Sequence, residues 1–207
     1  RSAEITITGS VNLTTTINIG AIAAINEGEI TDCIIGENKT TAAAVLYSNT
    51  MANIGGITGF NYGEISKSTV NYFTGVATGN IGGIAGLSYG EEIGSKIYNC
   101  NVNSSELHIY AGTVGGIVGY YENGIQLNDC NVSNTNISCY NGFPSASASY
   151  YPSSHYGYAG GIVGWYDKNS ANLFLSNCSV SNVKLSTGNE SVDSSHGGRS
   201  FAPEVGL

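Results

Sequence analysis

At 207 residues the chain is long enough to bury a core without staples, but only 11% of it is charged, 29 positions are Gly, and the net charge is −8. With seven Lys and Arg in all, it has no basic cluster to meet a phosphate backbone or an anionic lipid surface, so nucleic acid is not an expected partner. No stretch approaches the roughly 18 uninterrupted apolar residues of a membrane helix, so membrane insertion is not expected either.

Polarity comes from Ser, Thr, Asn and Tyr, which suit strands and turns better than helices. The N-terminal residues lack the charged-then-apolar pattern of a secretory leader. Residues 3–19 alternate apolar and polar with many β-branched side chains. That pattern predicts a strand with a turn near Gly9-Ser10, a leading strand or cap over residues 1–19.

A five-residue phrase, Gly-Gly-Ile-Xaa-Gly, then repeats. It stands at Gly55–Gly59, Gly82–Gly86, Gly115–Gly119 and Gly160–Gly164, with a degraded copy, Gly20-Ala21-Ile22-Ala23-Ala24, before them. The starts at 20, 55, 82, 115 and 160 are separated by 35, 27, 33 and 45 residues. Each copy leads into a polar, aromatic and acidic turn. A short strand follows in which a small residue precedes an apolar one, as in Cys100-Asn101-Val102 and Cys130-Asn131-Val132. A third apolar patch closes most copies, as in Leu107-His108-Ile109.

Three short strands per repeat of this length predict an all-β parallel β-helix, or β-solenoid, of about five to six coils. The rule for parallel crossovers makes it right-handed. Helical repeats are excluded by the Gly-rich, β-branched composition, and a four-stranded propeller blade does not fit in 27 residues. The solenoid should span residues 20–187. Unequal intervals become insertions at corners, the largest a Ser/Tyr-rich protruding loop over 141–158. The tail over 188–207 loses the pattern, and its apolar end is expected to cap the solenoid or join subunits.

Gly115-Gly-Ile-Val-Gly-Tyr-Tyr-Glu-Asn-Gly-Ile125, with Asp129-Cys-Asn-Val132 downstream, resembles the GLUG motif. The resemblance covers about residues 20–185; copy one departs at two glycines and copy two has Ser68 for the cysteine. It implies extracellular scaffolding of the kind found in bacterial surface and secreted proteins, including adhesins, and no catalytic residue.

Equivalent positions of a solenoid stack, so columns are the candidate sites. An acidic column is expected from Glu27 and Glu29, Glu64, Glu91, Glu122 and Asp167, suited either to Ca²⁺ on an edge of oxygen ligands or simply to corners pointing apart into water. An aromatic column follows the glycines, with Phe60, Tyr62, Tyr89, Tyr120, Tyr121, Trp165 and Tyr166 as a glycan- or protein-binding patch. Neighbouring residues of a strand cannot both face inward, so some of these must face out. Cys33, Ser68, Cys100, Cys130 and Cys178 form a third column, favoured as an inward ladder of small residues, while off-column Cys139 is expected to be the reactive or intermolecular thiol. Sequons lie at Asn12, Asn38, Asn103, Asn131, Asn136, Asn177 and Asn189.

Catalytic signals are weak. Gly86-Leu-Ser-Tyr-Gly90 matches a nucleophile elbow but sits at a repeat corner, and His108, His155 and His196 are scattered. The expectation is therefore a non-enzymatic extracellular structural or adhesive protein at the cell surface, a stalk or filament subunit. Its partners are expected to be its own copies end to end, or neighbouring domains of a longer surface protein. The alternatives are a carbohydrate-binding module and, behind it, a polysaccharide-degrading β-helix enzyme.

Overall fold

A computed structural model describes residues 3–7, 16–36, 44–90, 94–140, 157–166, 174–188 and 205–206. Over these residues the chain is a parallel β-solenoid without helix. Strand β1 (Ala3–Ile7) is followed by β2 (Ile17–Gly20), β3 (Ala23–Asn26), β4 (Glu29–Thr31) and β5 (Ile34–Ile35). The long β6 (Ala44–Gly55) leads into β7 (Thr58–Asn61), β8 (Glu64–Ser66) and β9 (Thr69–Asn71). Next come β10 (Phe73–Gly82), β11 (Ala85–Tyr89), β12 (Ser95–Tyr98) and β13 (Asn101–Asn103). Coil four takes β14 (Glu106–Gly115), β15 (Val118–Glu122), β16 (Ile125–Asn128) and β17 (Asn131–Ser133). The last coil holds β18 (Asn136–Tyr140), β19 (Gly157–Gly160), β20 (Val163–Tyr166), β21 (Phe174–Ser176), β22 (Ser179–Ser181) and β23 (Lys184–Gly188), with β24 (Val205–Gly206) beyond it.

These strands form four parallel sheets. Sheet A stacks the long strands, with β1, β2, β18, β19, β23 and β24 as half-length pieces. Sheets B, C and D stack β3-β7-β11-β15-β20, β4-β8-β12-β16-β21 and β5-β9-β13-β17-β22. The coils thus bring strands to four sheets: the third expected patch, as at Leu107-His108-Ile109, lies in the long sheet A strand, and the sheet C strand is additional. Sheet A also slips in register midway, between Val76 and Thr78 against β6 and between Ala77 and Gly79 against β14. The large insertion enters sheet A on this slip line, for Ile109 pairs with Cys139 and Gly112 with Gly157. The expected loop at 141–158 falls outside the described residues except for its last two.

The glycine phrase is the corner between sheets A and B. A Cβ on Gly55, Gly82, Gly115 or Gly160 would lie 1.9–2.0 Å from the carbonyl oxygen three residues on. One on Gly83 would meet the Gly116 oxygen of the next coil at 2.2 Å and the Val102 methyls beneath. Glycine is needed here because backbones touch. The degraded copy fits its place: Gly59 is pressed against Ile19 and Asn18 of the preceding rung, whereas the equivalent Ala24 belongs to the first rung of sheet B and is exposed.

The C-to-D and D-to-A corners turn on single left-handed residues. Asp32, Lys67, Asn99, Asp129 and Asn177 at the C-to-D corner have φ between 49° and 55°. Asn and Asp tolerate that region best among residues with a side chain, which suits Asp32, Asn99, Asp129 and Asn177 to this corner.

Inside, columns of like residues stack coil on coil: Ile65, Ile97 and Leu127 in sheet C, Val70, Val102 and Val132 in sheet D, and Ile54, Ile81 and Val114 in sheet A. Volume is exchanged between neighbouring positions. Phe73 has the small Ala44 and Ser105 beside it, and Gly75 lies against its ring where the adjacent coil has Leu107.

Candidate functional site

The cysteine column faces inward as a ladder of reduced thiols. Cys100 Sγ donates to the carbonyls of Tyr98 at 3.4 Å and Ile65 at 3.7 Å, and Cys130 repeats the pattern on Asn128 and Ile97. Ser68 Oγ donates to Ser66 O at 2.8 Å, the same bond from a shorter side chain. The small column residue thus satisfies the carbonyl two residues before it, at the point where the left-handed corner leaves that group facing inward. Cys130 is pushed up in pKa by its contact with Cys100 and by burial.

Cys139 requires a correction. It stands in sheet A between Ile109 and Thr187, is 4% exposed, and burial pushes its thiol up to about 11. Burial and the raised pKa both disfavour the thiolate, which is the reactive form.

The acidic column also needs correcting. Glu29 and Glu64 stack in sheet C, but the next two places in that column are Lys96 and Gln126. Glu122 ends a sheet B strand opposite Tyr89. Glu91 and Asp167 lie outside the described residues. The columns diverge because the B-to-C corner varies in length, so equal distances from the glycines do not mean equal places. Glu64 instead accepts a hydrogen bond from the Tyr98 hydroxyl, which raises the Tyr98 pKa. Among the described residues no group of three or more His, Cys, Asp or Glu is placed to hold a metal ion.

Along sheet B the aromatic residues alternate. Phe60, Leu87, Tyr120 and Trp165 form one column beside Ile25 at the first coil. Asn61, Ser88, Tyr121 and Tyr166 form the other, which faces the interior. Tyr121, expected on a surface patch, is therefore fully buried, stacked on Tyr166 at 5.7 Å. Ser88, the elbow serine, is buried in the same column and bonded to Ser95 at 2.8 Å. Tyr62 and Tyr89 form a separate cluster at the B-to-C corner with Phe60, ring centroids 4.3 and 5.7 Å apart.

Trp165 and Tyr166 belong to the end coil, where, among the described residues, Phe174, Leu175 and Val180 are exposed as well. The sheet C column is fully buried at Ile97 and Leu127 but 50% exposed at Leu175, and the sheet D column ends with Val180 at 47%. A concavity of about 740 Å³ opens there, lined by Tyr158, Ile162, Trp165, Tyr166, Leu175 and Val180 among others. Tyr158 and Trp165 meet at 4.2 Å on one wall. Its described lining residues are apolar, aromatic or uncharged polar, a surface suited to apolar and aromatic contact. The opposite end leaves Ile22, Ile25 and Ile34 exposed.

One set of residues had no individual signal in the sequence. Asn53 donates to Asn18 at 2.8 Å and accepts from Asn80 at 2.7 Å, and Thr113 then donates to Asn80 at 2.7 Å, a side-chain ladder along sheet A. On sheet D, Asn131 donates to Asn101 and Ser133 to Asn103. Of the sequon asparagines, Asn103 is half-buried in this ladder, Asn131, Asn136 and Asn177 are exposed, and Asn12, Asn38 and Asn189 lie outside the described residues. His108 Nδ1 and Ser138 Oγ, 30 residues apart, meet at 2.6 Å across adjacent coils; His155 and His196 lie outside the described residues.

Compared with family models, curated proteins and solved structures, the chain finds no match in any of the three.

Proposed function

We propose that this chain is a non-enzymatic scaffold, a stalk or filament segment of an extracellular, surface-attached assembly, and that its working surfaces are the two ends of the solenoid. The observation that carries this reading is the exposure of the core columns at the end coils. Side chains equivalent to fully buried ones stand about half in water at Leu175, Val180 and Ile22. Covering each would contribute roughly 1 kcal/mol at about half the transfer energy of a whole aliphatic side chain. Among the described residues β20, β21 and β22 are edge strands, whose outward backbone groups could pair with another chain. The resemblance of the repeat to GLUG motifs supports an extracellular setting.

Sedimentation velocity over a concentration series, with electron micrographs of the same samples, tests the reading. The full chain should form rods longer than one molecule as concentration rises, and Leu175→Asp with Val180→Asp should prevent it. A monodisperse monomer at high concentration would overturn it.

Carbohydrate binding is favoured by one observation, the Tyr158–Trp165 wall of the concavity. Flat rings of this kind take sugar faces. A glycan array probed with the full chain should then give hits that Trp165→Ala abolishes, and an array without hits removes this reading.

A further inference from the structure

Among the described residues sheet A has six rungs, whereas sheets B, C and D have five. The surplus follows from connectivity. The chain enters sheet B from β2 and leaves sheet D into β23, half-length pieces at opposite ends of sheet A, and β1 and β24 fill the other halves of those rungs. The surplus bears on how a second copy would dock. If its β3, β4 and β5 were to pair on β20, β21 and β22, its β1–β2 rung would fall at the level of β23 and β24. Two rungs would then claim one place.

The residues show how the conflict resolves. Through the paired registers, Val205 of β24 stands in the column of Ile19, and Gly206 in the column of Gly20. The two-residue β24 therefore fills the site that β2 of an incoming copy would fill, with the same apolar-glycine pair. At the other end Ile5 of β1 stands in the column of Leu185 of β23. Each terminal strand copies the strand that a neighbouring molecule would supply.

Retention differs between competitors. β2 runs directly into the glycine corner and pairs at four positions, while β24 pairs at two. β23 follows β22 through Asn182 and Val183 alone, while β1 is separated from β2 by residues 8–16.

We infer that β1 and β24 are displaceable end caps, and that a second copy of this chain joins head to tail by replacing them, its β2 taking the place of β24 while β23 takes the place of β1. The inference rests on the end-joining reading above and adds the device that restrains it. Head-to-tail contacts of this kind do not close on themselves, so linear assemblies result. The junction carries its own reporter. Cys33 and Cys178 share one column, half-buried at opposite ends. In the joined pair they stand one rung, about 4.8 Å, apart, within disulfide range.

The experiment uses the full chain in three forms. Ile5→Pro with Gly206→Pro removes a strand donor from each cap, Gly206 being in register with Gly160, whose carbonyl faces the preceding rung. Ala159→Cys with Val205→Cys, in register on adjacent strands, locks β24 down when oxidised. The Pro variant should assemble at a concentration at least tenfold below the unaltered chain and yield Cys33–Cys178 cross-links in peptide mass spectra. The locked variant should stay monomeric when oxidised and assemble like the unaltered chain when reduced. Equal assembly of all three forms overturns the caps and leaves end joining standing, whereas monomers throughout overturn both. Assembly without the Cys33–Cys178 cross-link overturns the junction. Should the Pro variant lose its β-sheet circular dichroism, the locked variant decides alone: assembly unchanged by the lock refutes the caps.

Discussion

Gly116→Ala puts the corner to a quantitative test. An added Cβ would lie 2.1 Å from the Gly161 oxygen and 2.7–2.9 Å from the Val132 methyls, where real Cβ atoms keep at least 3.0 Å. Relief therefore requires a shift of 0.9 Å (3.0 minus 2.1), and Val132 blocks retreat into the core. Opening the gap between coils by that much would stretch three bonds that join them, from Gly116 N to Gly160 O at 3.2 Å, Ile117 N to Ile162 O at 2.9 Å and Val118 N to Ile162 O at 3.1 Å. All three would pass beyond hydrogen-bonding distance. At about 0.5–1.5 kcal/mol each, the loss is about 1.5–4.5 kcal/mol, or roughly 3–18 °C in Tm for a chain of this size. Gly28→Ala is the control, since a Cβ there meets nothing within 4 Å and φ is ordinary; it should be neutral or stabilise by up to about 1 kcal/mol. Gly124→Ala isolates backbone strain, having open space but φ of +71°, and should cost about 1–2 kcal/mol. Thermal and urea unfolding followed by far-UV circular dichroism measures all three. If Gly116→Ala proves no more costly than Gly124→Ala, steric contact between coils is not what demands glycine.

Two further outcomes follow from the interior. The Cys139 thiol is raised from 9.0 to about 11 by burial, so its stabilising effect is complete below the unfolded-state value and disappears as pH rises through the folded one. Between about pH 9 and 11 the chain should lose about 2–3 kcal/mol more stability than Cys139→Ala, and parallel pH profiles would refute the assignment. Asn53→Ala cuts the sheet A ladder on both sides of a residue only 3% exposed and should cost about 1–3 kcal/mol in urea unfolding. A change within 0.5 kcal/mol would mean that the ladder adds little.

Some of this was legible in the residues. The Gly-Gly-Ile-Xaa-Gly phrase marks the corner because no other residue fits where backbones touch, and that requirement shows in sequence. The Cys100 and Cys130 positions were legible because a small residue recurs before Val. Sheet C was harder to see, as each of its strands places a single large residue such as Ile97 or Leu127 in the core. The acidic column failed because corners absorb extra residues without moving the strands: Asn61 and Glu64 are three apart, while their partners Ser88 and Lys96 are eight apart. Tyr121 was misread because its column holds Asn61 and Ser88 in earlier coils, so the pattern did not mark the position as interior. Val205-Gly206 is too short a string to stand out until its register with Ala159-Gly160 is known.

The sheet topology also bears on how such a molecule responds to load. Strands bond only to those directly above and below, so the coils are tied to one another in series along the axis. Tension between β1 and β24, which sit at opposite ends of the stack, falls first on the outermost coil and peels it away while the inner coils keep their pairing. The two regular coils hold 27 and 33 residues (82 minus 55, and 115 minus 82). Each would release about 90–120 Å of chain at 3.3–3.6 Å per residue. A tether built this way lengthens in discrete steps and absorbs work at each one instead of breaking at a single point.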